Sequence, residues 1–214
     1  MSIDGPAGAG KSTIAKKVAK EKDFIYIDTG AMFRAMAVYF LRCGIAAGDY
    51  EKISEAVKDV NVTISYVNGE QQVFLNGENV TGQLRTEEVG NMASASSVNG
   101  DVRKKLLELQ RKLAVTANVV MDGRDIGTVV LPNADVKVYL TASVEVRAQR
   151  RYKELIEKGL SADLEQIKKD IEERDYRDMN RDIAPLRQAE DAVLVDSSYM
   201  TIDESVQAIL DLIK

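Results

Sequence analysis

The octapeptide Gly5-Pro6-Ala7-Gly8-Ala9-Gly10-Lys11-Ser12 matches G-x-x-x-x-G-K-[ST] and leaves few folds open to this chain. Such a loop needs a strand feeding into it and a helix leaving it, so that its backbone amides can turn toward phosphate oxygens. Both are legible. Ile3-Asp4 precedes it, and Ser12–Lys22 carries Ile14, Ala15, Val18 and Ala19 at helical spacing. Chance produces two Gly, one Lys and one Ser/Thr at this spacing in on the order of one chain in a hundred. The motif assigns the backbone of Gly5–Gly10 with Lys11, Ser12 and Thr13 to a nucleoside triphosphate, Lys11 to its β/γ-phosphates and Ser12 to magnesium. Only four residues precede Gly5, so either the first strand is stubby or the native start lies upstream.

Further β-rich runs, Phe24–Ile27, Val119–Met121, Val136–Leu140 and Val193–Val195, alternate with helical patterns. That alternation predicts βαβ units and a parallel sheet flanked by helices, an α/β fold. Ala31–Leu41 reads as a buried helix interrupted only by Arg34, and Thr201-Ile202-Asp203-Glu204 opens the last helix with a capping-box pattern. Residues 61–83 break the alternation. Short strands separated by Asn68-Gly69 and Asn76-Gly77 predict a small antiparallel meander inserted into the core.

Composition narrows the chemistry. The 214 residues contain no histidine, which excludes His-based triads, imidazole general bases and His-containing zinc sites. Phosphoryl transfer remains, because it relies on positioning and charge. A net charge of −5 argues against a general nucleic-acid or membrane-surface binder. No run is apolar enough to span a bilayer and no signal peptide is visible, so neither nucleic acid nor membrane is expected as a partner. Cys43 is the single cysteine; it cannot pair within the chain, reads as a small buried thiol and suits a reducing cytoplasm.

Three more clusters bear charge. Asp28-Thr29-Gly30-Ala31-Met32-Phe33-Arg34 follows the second predicted strand, at the carboxyl edge where α/β folds bind ligands. Arg34 on an apolar helix is expensive to bury alone, so it meets either an anion or an internal salt-bridge partner. Asp122-Gly123-Arg124-Asp125-Ile126-Gly127-Thr128 follows a later strand and offers the same chemistry, with surface ion pairing as the competing account. The helical stretch Glu173–Arg181 sets Arg174, Arg177/Asp178 and Arg181 on one face, as Arg147, Arg150 and Arg151 do on the preceding helix. These are either solvated helices laced by intrahelical pairs or arginines gathered around polyphosphate. The polar segment 152–169, with Gly159, reads as a mobile flap between them.

On Gly5–Ser12, Asp28–Arg34, Asp122–Thr128 and Arg174–Arg181 followed by Ala184-Pro185-Leu186, the chain resembles bacterial cytidylate kinases, within the nucleoside monophosphate kinase group, over essentially its full length. The meander at 61–83 resembles the bacterial form's enlarged monophosphate-binding region. The resemblance implies a P-loop kinase core at 1–30, 96–147 and 182–214, a monophosphate-binding region at 31–95, and a helical lid at 148–181. It implies ATP, Mg²⁺ and CMP or dCMP as ligands, with a monomeric cytoplasmic enzyme expected.

Residue by residue, the resemblance places Arg34, Arg124 and Arg181 on the acceptor phosphate, with Thr29 beside them. Asp178, with Arg174 nearby, meets the ribose hydroxyls. Ser94, Arg103 and Asp125 read cytosine, the carboxylate and hydroxyl accepting from the exocyclic amine while Arg103 donates to the ring. From the residues alone Ser94 is equally a solvent hydroxyl in a serine-rich stretch. Lys11, Arg124, Arg181, Arg150 and Arg151 are the candidate catalytic cations, and Asp28 or Asp122 joins Ser12 at magnesium through water. Another P-loop kinase acting on a nucleoside monophosphate or a small molecule is the alternative. A nucleotide-binding switch protein is the distant one, disfavoured because no Asn-Lys-x-Asp stretch occurs.

Overall fold

The computed structural model describes residues 1–213. From the N-terminus, β1 (Ser2–Asp4) leads through the P-loop into α1 (Lys11–Glu21), followed by β2 (Ile25–Asp28) and α2 (Thr29–Arg42). Then come α3 (Tyr50–Ala56), β3 (Val62–Val67), β4 (Glu70–Leu75), β5 (Glu78–Asn79), α4 (Glu87–Ser96) and α5 (Gly100–Ala114). The chain continues with β6 (Val119–Gly123), a π-helical turn at Ile126–Val130, and β7 (Lys137–Thr141). It finishes with α6 (Val144–Glu157), α7 (Leu164–Asn180), β8 (Val193–Asp196) and α8 (Ile202–Leu210).

These elements group into two units, Met1–Phe24 with Val120–Lys214, and Ile25–Val119. Five strands belong to a parallel sheet; four of them, in the order β6-β1-β7-β8, lie in the first unit, and β2 opens the second. Strand β1 spans three residues and pairs with β6 on one side and β7 on the other. Ser2, Ile3 and Asp4 are all buried, and Ile3 contributes about 2 kcal/mol of hydrophobic stabilisation at that position. Helix α1 turns Ile14, Ala15, Val18 and Ala19 inward, matching the periodicity of its sequence. The expected capping box forms at Thr201 and Glu204.

In the second unit, β3, β4 and β5 form the antiparallel meander. Its turns place Asn68 and Asn76 at φ 53° and 48°, each followed by a glycine that is also left-handed, the geometry a tight hairpin needs. The meander is rooted on the start of α2. Gln71 brackets the Asp28 peptide, its carbonyl accepting from the Asp28 N–H at 2.9 Å and its amide donating to the Asp28 carbonyl at 3.2 Å. The Tyr66 hydroxyl donates to the Tyr26 carbonyl.

Residues 25–30 and 96–119, read from the sequence as part of the P-loop core, group with the second unit by their contacts. There Asn99 caps α5 while its amide reaches Tyr50 and Ser54 of α3, and Lys105 donates to the Val57 carbonyl. Cys43 is exposed rather than buried, because α2 ends at Arg42 and the chain turns away through Gly44 at φ 67°.

Candidate active site

In the first unit the P-loop lies directly on the sheet. A Cβ added to Gly5 would stand 1.9 Å from the Leu140 carbonyl oxygen of β7, so any side chain here forces the loop off its support. Helix α1 begins after Gly10 with no side-chain cap, whereas the other seven α-helices are capped by Asp28, Asp49, Thr86, Asn99, Ser143, Asp163 and Thr201. The first N–H groups of α1 are thus left for an anion, and the positive end of the helix dipole points the same way.

Lys11 is buried and donates from Nζ to the Pro6 carbonyl at 2.7 Å, folding back over its own loop. Burial pushes its ammonium down to about 7, Arg124 adds to the depression, and Asp122 opposes it. Ser12 Oγ donates to Asp122 at 2.8 Å. A hydroxyl beside a carboxylate is the hard-oxygen donor pair that magnesium takes together with phosphates and waters, so these two residues fit that ion. Asp28 is committed elsewhere. One oxygen caps α2 through the Ala31 N–H, and the other receives Arg34 and Arg85.

Behind the loop, Arg147 of α6 is buried and fully engaged. Nε donates to the Ala142 carbonyl, Nη1 to the Ala7 carbonyl at 2.9 Å, and Nη2 meets Asp175 at 2.7 Å. Arg124 Nε pairs with Asp178 at 2.8 Å, and Arg181 Nη2 with Asp125 at 3.3 Å. Asp175 and Asp178 sit one turn apart on α7 and point their carboxylates inward. The arginines brought together here are therefore interleaved with carboxylates. Burial pushes the Asp178 carboxyl up, but Arg124, Arg174 and Arg181 outweigh it and hold it below the usual range.

The remaining cations differ. Arg150 donates to the Ser197 carbonyl at 2.7 Å. Arg151 is exposed and paired with Glu154 within its own helix, the intrahelical lacing anticipated as the alternative for such runs. Arg177 is exposed and leaves the inward face of α7, while Arg181 lies just past the helix end in extended backbone. The loop carrying Arg124 and Asp125 is latched from β1: Asp4 accepts from the Ile126 and Gly127 N–H groups at 2.8 and 2.7 Å. Burial pushes the Asp4 carboxyl up to about 6 despite those donors.

In the second unit Thr29 is buried at the first turn of α2, and Arg34 Nη2 reaches Asp28 at 2.9 Å. Arg34 Nε is buried without a hydrogen-bond partner among the described residues. Ser94 Oγ is in the same state, buried and unpartnered, which sets it apart from a solvent hydroxyl. Arg103 donates to the Ser97 carbonyl and its guanidinium lies 5.6 Å over the Phe33 ring. Sequence reasoning missed Asp4, Gln71, Arg85 and the supporting role of Arg147 with Asp175. An acid closing a buried strand directly before the P-loop was the one available signal, and it pointed to Asp4.

A family model described as cytidylate kinase matches residues 1–214. The chain belongs to the cytidylate kinase family. Membership makes it an ATP-dependent nucleoside monophosphate kinase, a phosphotransferase. Among curated relatives, the cytidylate kinase of Desulforamulus reducens is 52% identical over 210 residues, covering 98% of this chain and 94% of the relative. That of Ligilactobacillus salivarius is 50% identical over 214 residues, covering 100% and 96%. A solved structure of an uncharacterised protein from Eubacterium ventriosum superposes with a TM-score of 0.53 at 13% identity, covering 99% of this chain and 96% of that one. The last likeness speaks for the fold alone. Among the described residues no helix is long and apolar enough to cross a membrane.

Proposed function

We propose that this chain transfers the γ-phosphoryl group of ATP directly, in line, to the 5′-phosphate of CMP or dCMP, giving ADP and the diphosphate, as a cytoplasmic monomer. The observation that carries the reading is the joining of an uncapped α1, Lys11 and the Ser12–Asp122 pair in a chain of this family. The acceptor oxygen is already anionic, so no strong base is needed, in keeping with a chain free of histidine.

The P-loop amides and Lys11 bind the donor phosphates, Lys11 leaving the Pro6 carbonyl for them. Ser12 and Asp122 would hold Mg²⁺, which when bound would neutralise charge on the donor phosphates. Arg124 and Arg181 exchange their carboxylate partners for phosphate oxygens. The freed Asp178 turns to the ribose, with Arg174 beside it, and Asp125 to the cytosine amine. In the second unit, Arg34 and Thr29 take the acceptor phosphate, and Ser94 and Arg103 take the base. Arg150 and Arg151 serve the donor phosphates once they release Ser197 and Glu154. Burying both nucleotides among preorganised cations supplies the rate enhancement and keeps water from the transferring group.

The test is turnover with ATP and magnesium across CMP, dCMP, UMP and AMP. The reading requires CMP or dCMP to give the highest kcat/KM. Preference for AMP or UMP by tenfold would replace it with the corresponding kinase activity.

A further inference from the structure

The Asp28 carboxylate carries more positive charge than it can balance. A single oxygen, Oδ2, receives Arg34 Nη2 at 2.9 Å and Arg85 Nη2 at 3.1 Å, so the two nitrogens lie no more than about 6 Å apart. The other oxygen is spent on the Ala31 N–H. Two guanidinium groups on one carboxylate leave a net positive charge at this point. Arg34 adds a buried Nε with no acceptor among the described residues. The arrangement asks for a second anion.

Arg85 is suited to swing onto it. Its side chain is 68% exposed, against 18% for Arg34 and 10% for Asp28. The contact is open to solvent on the Arg85 side, so exchanging it for a more highly charged anion costs little. A phosphate dianion offers three acceptor oxygens and twice the charge of the carboxylate, and guanidinium binds it in bidentate fashion. The residue sits just before Thr86, which caps α4, so its backbone is held while most of its side chain stays exposed to solvent.

We infer that Arg85 is a further guanidinium for the acceptor monophosphate, added to Arg34 within the second unit, with Asp28 as the resting partner of both. This rests on the reading of Arg34 given above.

Equilibrium binding of CMP and of cytidine to the full-length wild type, Arg85→Gln and Arg85→Lys proteins tests it, together with KM for CMP and for ATP. The expected result is about a tenfold loss of CMP affinity in Arg85→Gln, with cytidine affinity and KM for ATP within twofold of wild type and partial recovery in Arg85→Lys. Unchanged CMP affinity overturns the inference. An equal loss for CMP and cytidine also overturns it, because it would tie Arg85 to the fold rather than to phosphate. If the wild type binds CMP no better than cytidine, the acceptor reading itself fails and this inference goes with it.

Discussion

Ser12 Oγ donates a 2.8 Å hydrogen bond to the carboxylate of Asp122, joining the last residue of the P-loop motif to β6 across 110 positions of sequence. On the function proposed above, this hydroxyl and carboxylate are the hard oxygen ligands for magnesium. Asp122→Asn keeps the shape and removes the charge. We expect it to raise the magnesium concentration for half-maximal activity by about tenfold and lower turnover by about 10²-fold. A magnesium titration at fixed ATP measures both, and an unshifted midpoint would move the metal role away from Asp122. Chelation of magnesium with excess EDTA should abolish turnover in the wild type.

Lys11 is a buried ammonium resting on a carbonyl, so it burdens the fold while, in the proposed mechanism, it serves the donor phosphates. Lys11→Ala should leave the urea midpoint unchanged or raised, and should reduce turnover by two orders of magnitude or more. Near-normal turnover in a folded Lys11→Ala protein would sink the mechanism proposed here.

Asp4 sets a pH signature. Its folded carboxyl, pushed up to about 6, binds a proton more readily than the unfolded one, whose ordinary value is 3.8. Its favourable contribution is therefore complete below about 4 and is lost as pH rises through 6. Wild type should lose stability relative to Asp4→Asn over pH 4 to 7, by about 3 kcal/mol at most. Asn leaves one of the two N–H groups without its acceptor, which offsets the two curves but does not alter their difference in slope. Parallel urea midpoints across this range would contradict the assignment.

The Arg147–Asp175 pair is the support beneath the loop. Arg147→Met strands a buried carboxylate and removes the donor to the Ala7 carbonyl, costing about 3–5 kcal/mol. Adding Asp175→Leu should recover much of that loss, read as a double-mutant cycle in urea. Additive losses would show that the pair is not the unit of stability.

What was legible followed from local pattern. The P-loop, the apolar runs that became β1, β2, β6, β7 and β8, the inward stripe of α1 and the two Asn-Gly turns all express their physics within a few residues. Partnerships across the chain do not. Nothing near Arg85 announces that it meets Asp28, 57 residues earlier, and Arg147 looks like its neighbours Arg150 and Arg151 until Asp175 is seen to bury it. Periodicity likewise set Arg177 on the same face as Asp178, whereas only the aspartate turns inward. Cys43 was misplaced because the apolar run of α2 was extended one residue past its end.

The interleaving of Arg124 with Asp178 and Arg181 with Asp125 has a consequence for selectivity. On the roles proposed here, a nucleoside monophosphate brings an anion for each guanidinium and hydroxyl or amine donors for each carboxylate, so it can part both couples while leaving no member bereft. Pyrophosphate would satisfy only the arginines, and a free nucleoside only the aspartates. Discrimination in favour of the whole nucleotide then comes from the groups a fragment abandons, more than from any contact the whole molecule gains.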